Sequence, residues 1–208
     1  MMKIVIFDFD GTLANSFPWF IKRINQVAEI FRFHKVTPGE IENLRAMSVD
    51  DILKYLGISL FKLPFIILYL KWLMRKEASE ITLFEGVSSL FKVLHQHQIR
   101  IIVLSSNARK NVQLILGDLE PMVMAYYCGA GMRAKETHFK KIKKHYPSAQ
   151  IISVGDEPRD LLAAQKSLVN HLNVSWGYAT KEAFAEQEMI DSWPELEVRI
   201  LRYFDIKS

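Results

Sequence analysis

Lys3-Ile4-Val5-Ile6-Phe7-Asp8-Phe9-Asp10-Gly11-Thr12 runs through four apolar residues after Lys3, three of them β-branched, and breaks off at two carboxylates. An unbroken aliphatic run of this length is the pattern of a strand buried on both faces. Two later stretches repeat it: 100–104 (RIIVL) and 150–154 (QIISV). Each is again followed by polar residues, Ser105-Ser106-Asn107 in one case and Gly155-Asp156-Glu157-Pro158-Arg159-Asp160 in the other. A fourth short run, 171–174, follows a helical pattern over 159–167. Strands alternating with helices predict an α/β fold with a Rossmann-like, three-layer core around a parallel sheet. In such sheets ligands bind beyond the carboxyl ends of the strands, where these three polar loops would meet.

The segment between the first two strands is too long for a simple crossover. Trp19, Phe20, Ile24, Val27 and Phe31 recur at helical spacing behind Ser16 and Pro18. Thr37-Pro38-Gly39-Glu40 carries the elements of a capping box, and Ser48 to Asp51 opens a further helix that Gly57 ends. Pro64 then begins a very apolar helix to about Ala78. The expected organisation is a catalytic core of residues 1–14 and 83–208, with an inserted all-helical cap over 15–82.

The densest apolar stretch, 65–74 (FIILYLKWLM), is shorter than the roughly 20 residues a membrane span needs and is interrupted by Lys71. Its apolar residues face nearly all round a helix, which a small helical unit cannot cover. Helix 64–78 is expected to be buried or partly buried in its own chain, with any apolar surface left over covered by a second copy or a weak membrane-surface contact.

The 208 residues are half hydrophobic, enough for one sizeable core. The net charge of +4 is spread over 27 basic and 23 acidic residues. The densest basic run, Lys140 to Lys144, alternates with Phe139, Ile142 and Tyr146 and reads as a solvated helix face, so no nucleic-acid partner is expected. A single cysteine, Cys128, excludes an internal disulfide and fits a reducing compartment. The N-terminal apolar run is too short and too quickly acidic for a signal peptide, which suggests a cytoplasmic protein.

Several carboxylates gathered at one point repel each other unless a cation joins them. A hard cation such as Mg²⁺, held by oxygen ligands, resolves the conflict and lets an anionic phosphate approach an anionic nucleophile. A lysine and small hydroxyls would hold the remaining phosphate oxygens. The pattern therefore points to phosphoryl transfer through an aspartyl-phosphate.

Asp8-x-Asp10-Gly11-Thr12 after an apolar strand resembles motif I of the haloacid dehalogenase superfamily. Ser105 resembles motif II, Lys135 in Gly131-Met132-Arg133-Ala134-Lys135 stands where motif III supplies its lysine, and Gly155-Asp156-x-x-x-Asp160 resembles motif IV. The resemblance implies Asp8 as nucleophile and Asp10 as acid/base, with Ser105 and Lys135 on the phosphoryl group. It implies Mg²⁺ held by Asp8, the backbone carbonyl of Asp10, and Asp156, with Asp160 in support. Thr12, Ser106, Asn107 and the cap residue Arg45 are the candidate substrate contacts. Glu136 follows Lys135 where relatives often carry proline, so Lys140 and Lys141 stay in contention.

Glu157 and the later Trp176-Gly177-Tyr178 look like phosphoglycolate-phosphatase-type members, which makes a small phosphorylated metabolite the expected substrate. Asp10 argues against a metal-free dehalogenase. A phosphonate hydrolase would use a cap lysine, and none of Lys22, Lys54, Lys62 and Lys71 sits in a recognisable pattern. A phosphomutase shares every catalytic residue, and a non-catalytic scaffold on the same fold also stays open.

Overall fold

The computed structural model describes residues 1–129, 134–184 and 187–206. Gly131, Met132 and Arg133 of the third motif lie outside them. Six strands form one parallel sheet: β1 (Lys3–Phe7), β2 (Arg100–Ser105), β3 (Val123–Cys128), β4 (Gln150–Gly155), β5 (Asn170–Val174) and β6 (Met189–Ile190). Their spatial order is β3-β2-β1-β4-β5-β6. Strand β1 is therefore central, with Phe7 in register with Val103 on one side and Val154 on the other.

Alternation along β1 divides the core. Val5 and Phe7 face one side, where they pack with helices α5 (Gly86–Gln96), α6 (Arg109–Leu116) and α9 (Trp193–Tyr203). Ile4 and Ile6 face the other, against Phe139 and Ile142 of α7 (Lys135–His145) and Ala163 and Ala164 of α8 (Pro158–Lys166). These four apolar residues of β1 are essentially inaccessible to solvent. Burying each is worth roughly 2 kcal/mol, against about 1 kcal/mol for a loop hydrogen bond. The sheet therefore anchors the loops at its end, and not the reverse.

Two strands escaped the sequence pattern. Strand β3 lies at the sheet edge with only Val123 buried, so VMAYYC shows no continuous aliphatic run. Strand β6 has two residues, too short for any periodicity.

Between β1 and β2 run α1 (Phe17–Phe31), α2 (Ile41–Arg45), α3 (Val49–Tyr55) and α4 (Leu63–Lys76). Ile24, Val36, Leu44 and Leu56 form a small hydrophobic cluster of their own there. Glu40 accepts from the Thr37 backbone N–H at 2.7 Å, which is its half of a capping box, and also from the Thr37 hydroxyl at 2.6 Å. The Ser48 hydroxyl caps α3 by accepting from Asp51 N–H at 3.2 Å. Ser16 behaves differently: it precedes α1 but makes no side-chain cap, and its hydroxyl instead meets the Tyr178 phenol at 3.0 Å.

Helix α4 is two-sided. Ile66, Leu73 and Met74 are buried, while Phe65 (67%), Leu68 (70%) and Trp72 (48%) remain exposed. Among the described residues no helix is long and apolar enough to cross a membrane.

Candidate active site

The polar loops converge where β1, β2 and β4 end, because those strands are adjacent and parallel. Asp8 follows β1 directly, and its N–H donates to the Val154 carbonyl at 2.9 Å, which ties the first loop to the third. Asp8, Asp156 and Asp160 are all buried, and each offers a carboxylate oxygen within 4.8 Å of the other two.

Lys135, the first residue of α7, reaches into this cluster. Its ammonium lies 2.8 Å from Asp8 Oδ2 and also pairs with Asp160. Lys140 and Lys141 are exposed on the outer face of the same helix. Burial alone would lower the Lys135 pKa, but Asp160 and Asp8 outweigh it and raise it to about 12.

The carboxylates shift the other way. Burial pushes Asp8 up to about 6 even with Lys135 pulling it down. Burial and the Asp8 charge bring Asp10 to about 6 as well, and burial with Glu157 and Asp8 holds Asp156 well above the usual carboxylate range. Three carboxylates and one ammonium leave an excess of buried negative charge. Asp160 Oδ2 is buried without a hydrogen-bond partner among the described residues. A hard divalent cation with oxygen ligands answers both conditions, so the donor set fits such an ion.

Asp156 is held with little freedom. Its Oδ1 accepts from the Thr12 hydroxyl at 2.6 Å and its Oδ2 from Tyr178 N–H at 2.7 Å. Two glycines make room for it. A Cβ on Gly11, whose φ is +80°, would stand 2.2 Å from Asp156 Oδ2, and one on Gly177 would meet the same atom at 2.2 Å.

The expected substrate contacts divide. Asn107 reaches the cleft, its side-chain amide donating to Asp10 Oδ2 at 3.1 Å while its backbone N–H donates to Ser105 Oγ at 2.9 Å. Ser105 is buried and Ser106 half-buried in the same loop. Thr12 is completely buried, and its hydroxyl is directed to Asp156, not outward. Arg45 is tied down too: its guanidinium donates to the carbonyls of Tyr178 (2.9 Å) and Gly177 (3.0 Å) and pairs with Glu42 at 3.0 Å.

A scan of protein-family profiles matches residues 5–174 to the haloacid dehalogenase-like hydrolases. The chain belongs to that family. As a haloacid dehalogenase-like hydrolase it is an enzyme of the hydrolase class, and the four motif positions fall within the matched stretch. It is similar to a phosphoglycolate phosphatase of Synechococcus elongatus, 26% identical over 186 residues that cover 88% of each chain. Among solved structures, a predicted phosphatase from Clostridium acetobutylicum superposes with a TM-score of 0.80 at 19% identity, covering 97% of this chain and 99% of that one. CbbY from Rhodobacter sphaeroides, solved with phosphate, gives 0.74 at 18% identity over 94% and 96%. At these identities the structural likeness speaks for the fold.

Sequence reasoning missed three residues of this haloacid dehalogenase-like site. Arg159 pairs with Glu157, and although burial opposes its charge, Glu157, Asp160 and Asp8 raise its pKa. Tyr178 holds Asp156 through its N–H, packs edge-on against Phe17 and reaches Ser16. Lys71 is half-buried on α4, and the loss of hydration lowers its pKa although the Asp10 and Cys128 charges oppose the shift. Arg159 carried a local signal, as a cation between two motif carboxylates. Tyr178 ends the Trp176-Gly177-Tyr178 stretch, whose resemblance gave it no role of its own, and Lys71 stands in no motif.

Proposed function

We propose that the protein is a Mg²⁺-dependent phosphatase that hydrolyses a small-molecule phosphate monoester through an aspartyl-phosphate on Asp8. The observation that carries this reading is the Lys135 ammonium 2.8 Å from Asp8 Oδ2, inside a nest of three buried carboxylates. Asp8 attacks phosphorus, the bond from phosphorus to the ester oxygen breaks, and Asp10 gives its proton to the departing alkoxide. Asp10, now ionised, takes a proton from water, whose oxygen attacks the phospho-enzyme to release phosphate and free Asp8. A carboxyl with a pKa near 6 suits both halves of that cycle close to neutrality.

Lys135 and Ser105 hold phosphoryl oxygens in this scheme. Asp8, the Asp10 carbonyl and Asp156 hold Mg²⁺, and Asp160 supports the cluster through Lys135. The cation, when bound, offsets the carboxylate charge and polarises the phosphoryl group. Thr12 positions Asp156 and does not contact substrate, and Asn107 orients Asp10. Residues 15–82 act as a cap over a core of 1–14 and 83–208, excluding water from the reacting centre. The Synechococcus relative makes phosphoglycolate the first substrate to test.

A second copy of the chain is the partner proposed for α4. Phe65, Leu68 and Trp72 are exposed along α4 at spacings of three and four, a stripe on one helix face that a copy related by a two-fold axis can cover.

The test is a hydrolysis screen of phosphorylated metabolites with and without Mg²⁺, run beside Asp8→Asn. The proposal expects metal-dependent phosphate release that Asp8→Asn lowers by several orders of magnitude, on the scale of losing a covalent nucleophile. Comparable turnover in the variant would overturn the aspartyl-phosphate route.

A further inference from the structure

A cavity of about 400 Å³ lies beside the carboxylate nest. Its floor is Glu157, Pro158, Arg159 and Tyr178, the segment directly after Asp156 and the residue whose N–H holds that carboxylate. Its walls and roof come from the helical insert. Phe17 and Phe20 of α1, Leu44 of α2, Met47 and Ile52 face Leu162 of α8 across it.

Two properties set the chemistry of this space. Its volume falls in the range of roughly 300–1,000 Å³ that holds ligands of many heavy atoms, far more than a glycolate group fills. Its lining is mainly apolar, with Arg45, Ser48, Asp50, Glu157 and Arg159 as the polar members, and its two guanidinium groups are already engaged. Arg45 binds two backbone carbonyls and Glu42, and Arg159 pairs with Glu157. Met47 (36%) and Leu162 (54%) leave apolar surface exposed on opposite sides, one on the insert and one on the core. A charged leaving group would lose hydration here without gaining a free counter-ion from the lining, whereas an alkyl or aryl group would be transferred out of water.

We propose that the preferred substrate is a phosphate monoester of an apolar alcohol or phenol larger than glycolate, with its organic group seated in this cavity. The inference rests on the phosphatase reading for the chemistry and on the cavity for the class. Substrate choice then comes from the insert, with the carboxylate nest common to any phosphate ester.

A homologous series tests it. With Mg²⁺ present, kcat/KM should rise roughly threefold to fourfold per added methylene from methyl to hexyl phosphate, and 1-naphthyl phosphate should exceed phosphoglycolate. Affinity for the non-hydrolysable series methyl-, butyl- and octylphosphonate, measured by calorimetry on the wild-type protein, should climb in parallel. Ala46→Trp, which narrows the cavity from its exposed wall, should flatten both trends. Chain-length independence in hydrolysis and binding would overturn the inference, as would a clear preference for phosphoglycolate, and in either case the phosphatase reading would survive. No hydrolysis of any ester, with phosphonate affinity still climbing, would remove the phosphatase reading and leave the apolar site standing.

Discussion

The loops at the carboxyl end of the sheet and the helical insert over 17–76 are built on opposite terms. In the loops, Asp8, Lys135, Asp156 and Asp160 come from three separate segments and are buried against each other. Every position there is over-determined: a strand in register on both sides, a glycine that only just clears a carboxylate, a buried ion pair. In the insert, α1, α2 and α3 share a small apolar cluster and line part of a cavity, while α4 leaves Phe65, Leu68 and Trp72 in solvent. Carboxylates report the same contrast. Burial raises Asp8 and Asp10 to about 6, whereas Glu40, only half-buried in the insert, is drawn down to about 2 by Thr37, Tyr55 and His34. Chemistry is assigned to the part whose geometry cannot move without loss, and selectivity to the part with room to vary.

That division can be broken at three points. Asp10→Asn tests the rigid side. Turnover of an alkyl phosphate should fall by about 10²–10⁴, while the transfer step for 4-nitrophenyl phosphate, whose leaving group needs little protonation, should fall much less. Equal loss in single-turnover measurements on both esters would remove Asp10 from the acid role.

Glu40→Gln tests the insert. The folded pKa lies below the ordinary value of 4.5, so the carboxylate favours the folded state above that pH, and the advantage disappears as pH falls through about 2. The variant should therefore unfold at lower urea than the wild type at pH 6 and at the same urea near pH 2. A difference unchanged between the two conditions would mean that the Glu40 charge is not what the cap of the second helix uses.

Phe65→Glu should have the smallest effect on catalysis, leaving kcat within about twofold, since a surface substitution away from the site rarely matters. Its consequence should appear in sedimentation, as weakened self-association of the wild-type species. A wild type that is monomeric at all concentrations, or that binds liposomes in a manner abolished by the variant, would discard the second copy as the partner of α4.

Much of the rigid half is legible along the chain because its elements are short and locally complete. A buried aliphatic run announces a central strand, and the residue at its end needs no long-range information to be placed at the sheet's carboxyl edge. Lys135 was harder to separate from Lys140 and Lys141, since the choice depends on which face of α7 packs on the sheet. Phe139 and Ile142 bury one face, and that leaves Lys135 inside and the other two outside. Edge strand β3 left no aliphatic signature because both its faces are only partly covered, which lets Tyr126, Tyr127 and Cys128 stand where a central strand would need aliphatic residues.

Residue type and spacing alone determined the α/β fold, the central strand and the identity of the carboxylates, because hydrophobic periodicity and strand-end position are properties of contiguous sequence. Only tertiary structure decided that Thr12 turns inward to Asp156, that Arg45 is tied to the 177–178 carbonyls, and that the Tyr178 N–H holds Asp156. Those outcomes depend on which groups, far apart in the chain, arrive at one point and compete for the same hydrogen bonds and charges. No local pattern encodes that competition, because its partners are chosen by the packing of the insert on the core.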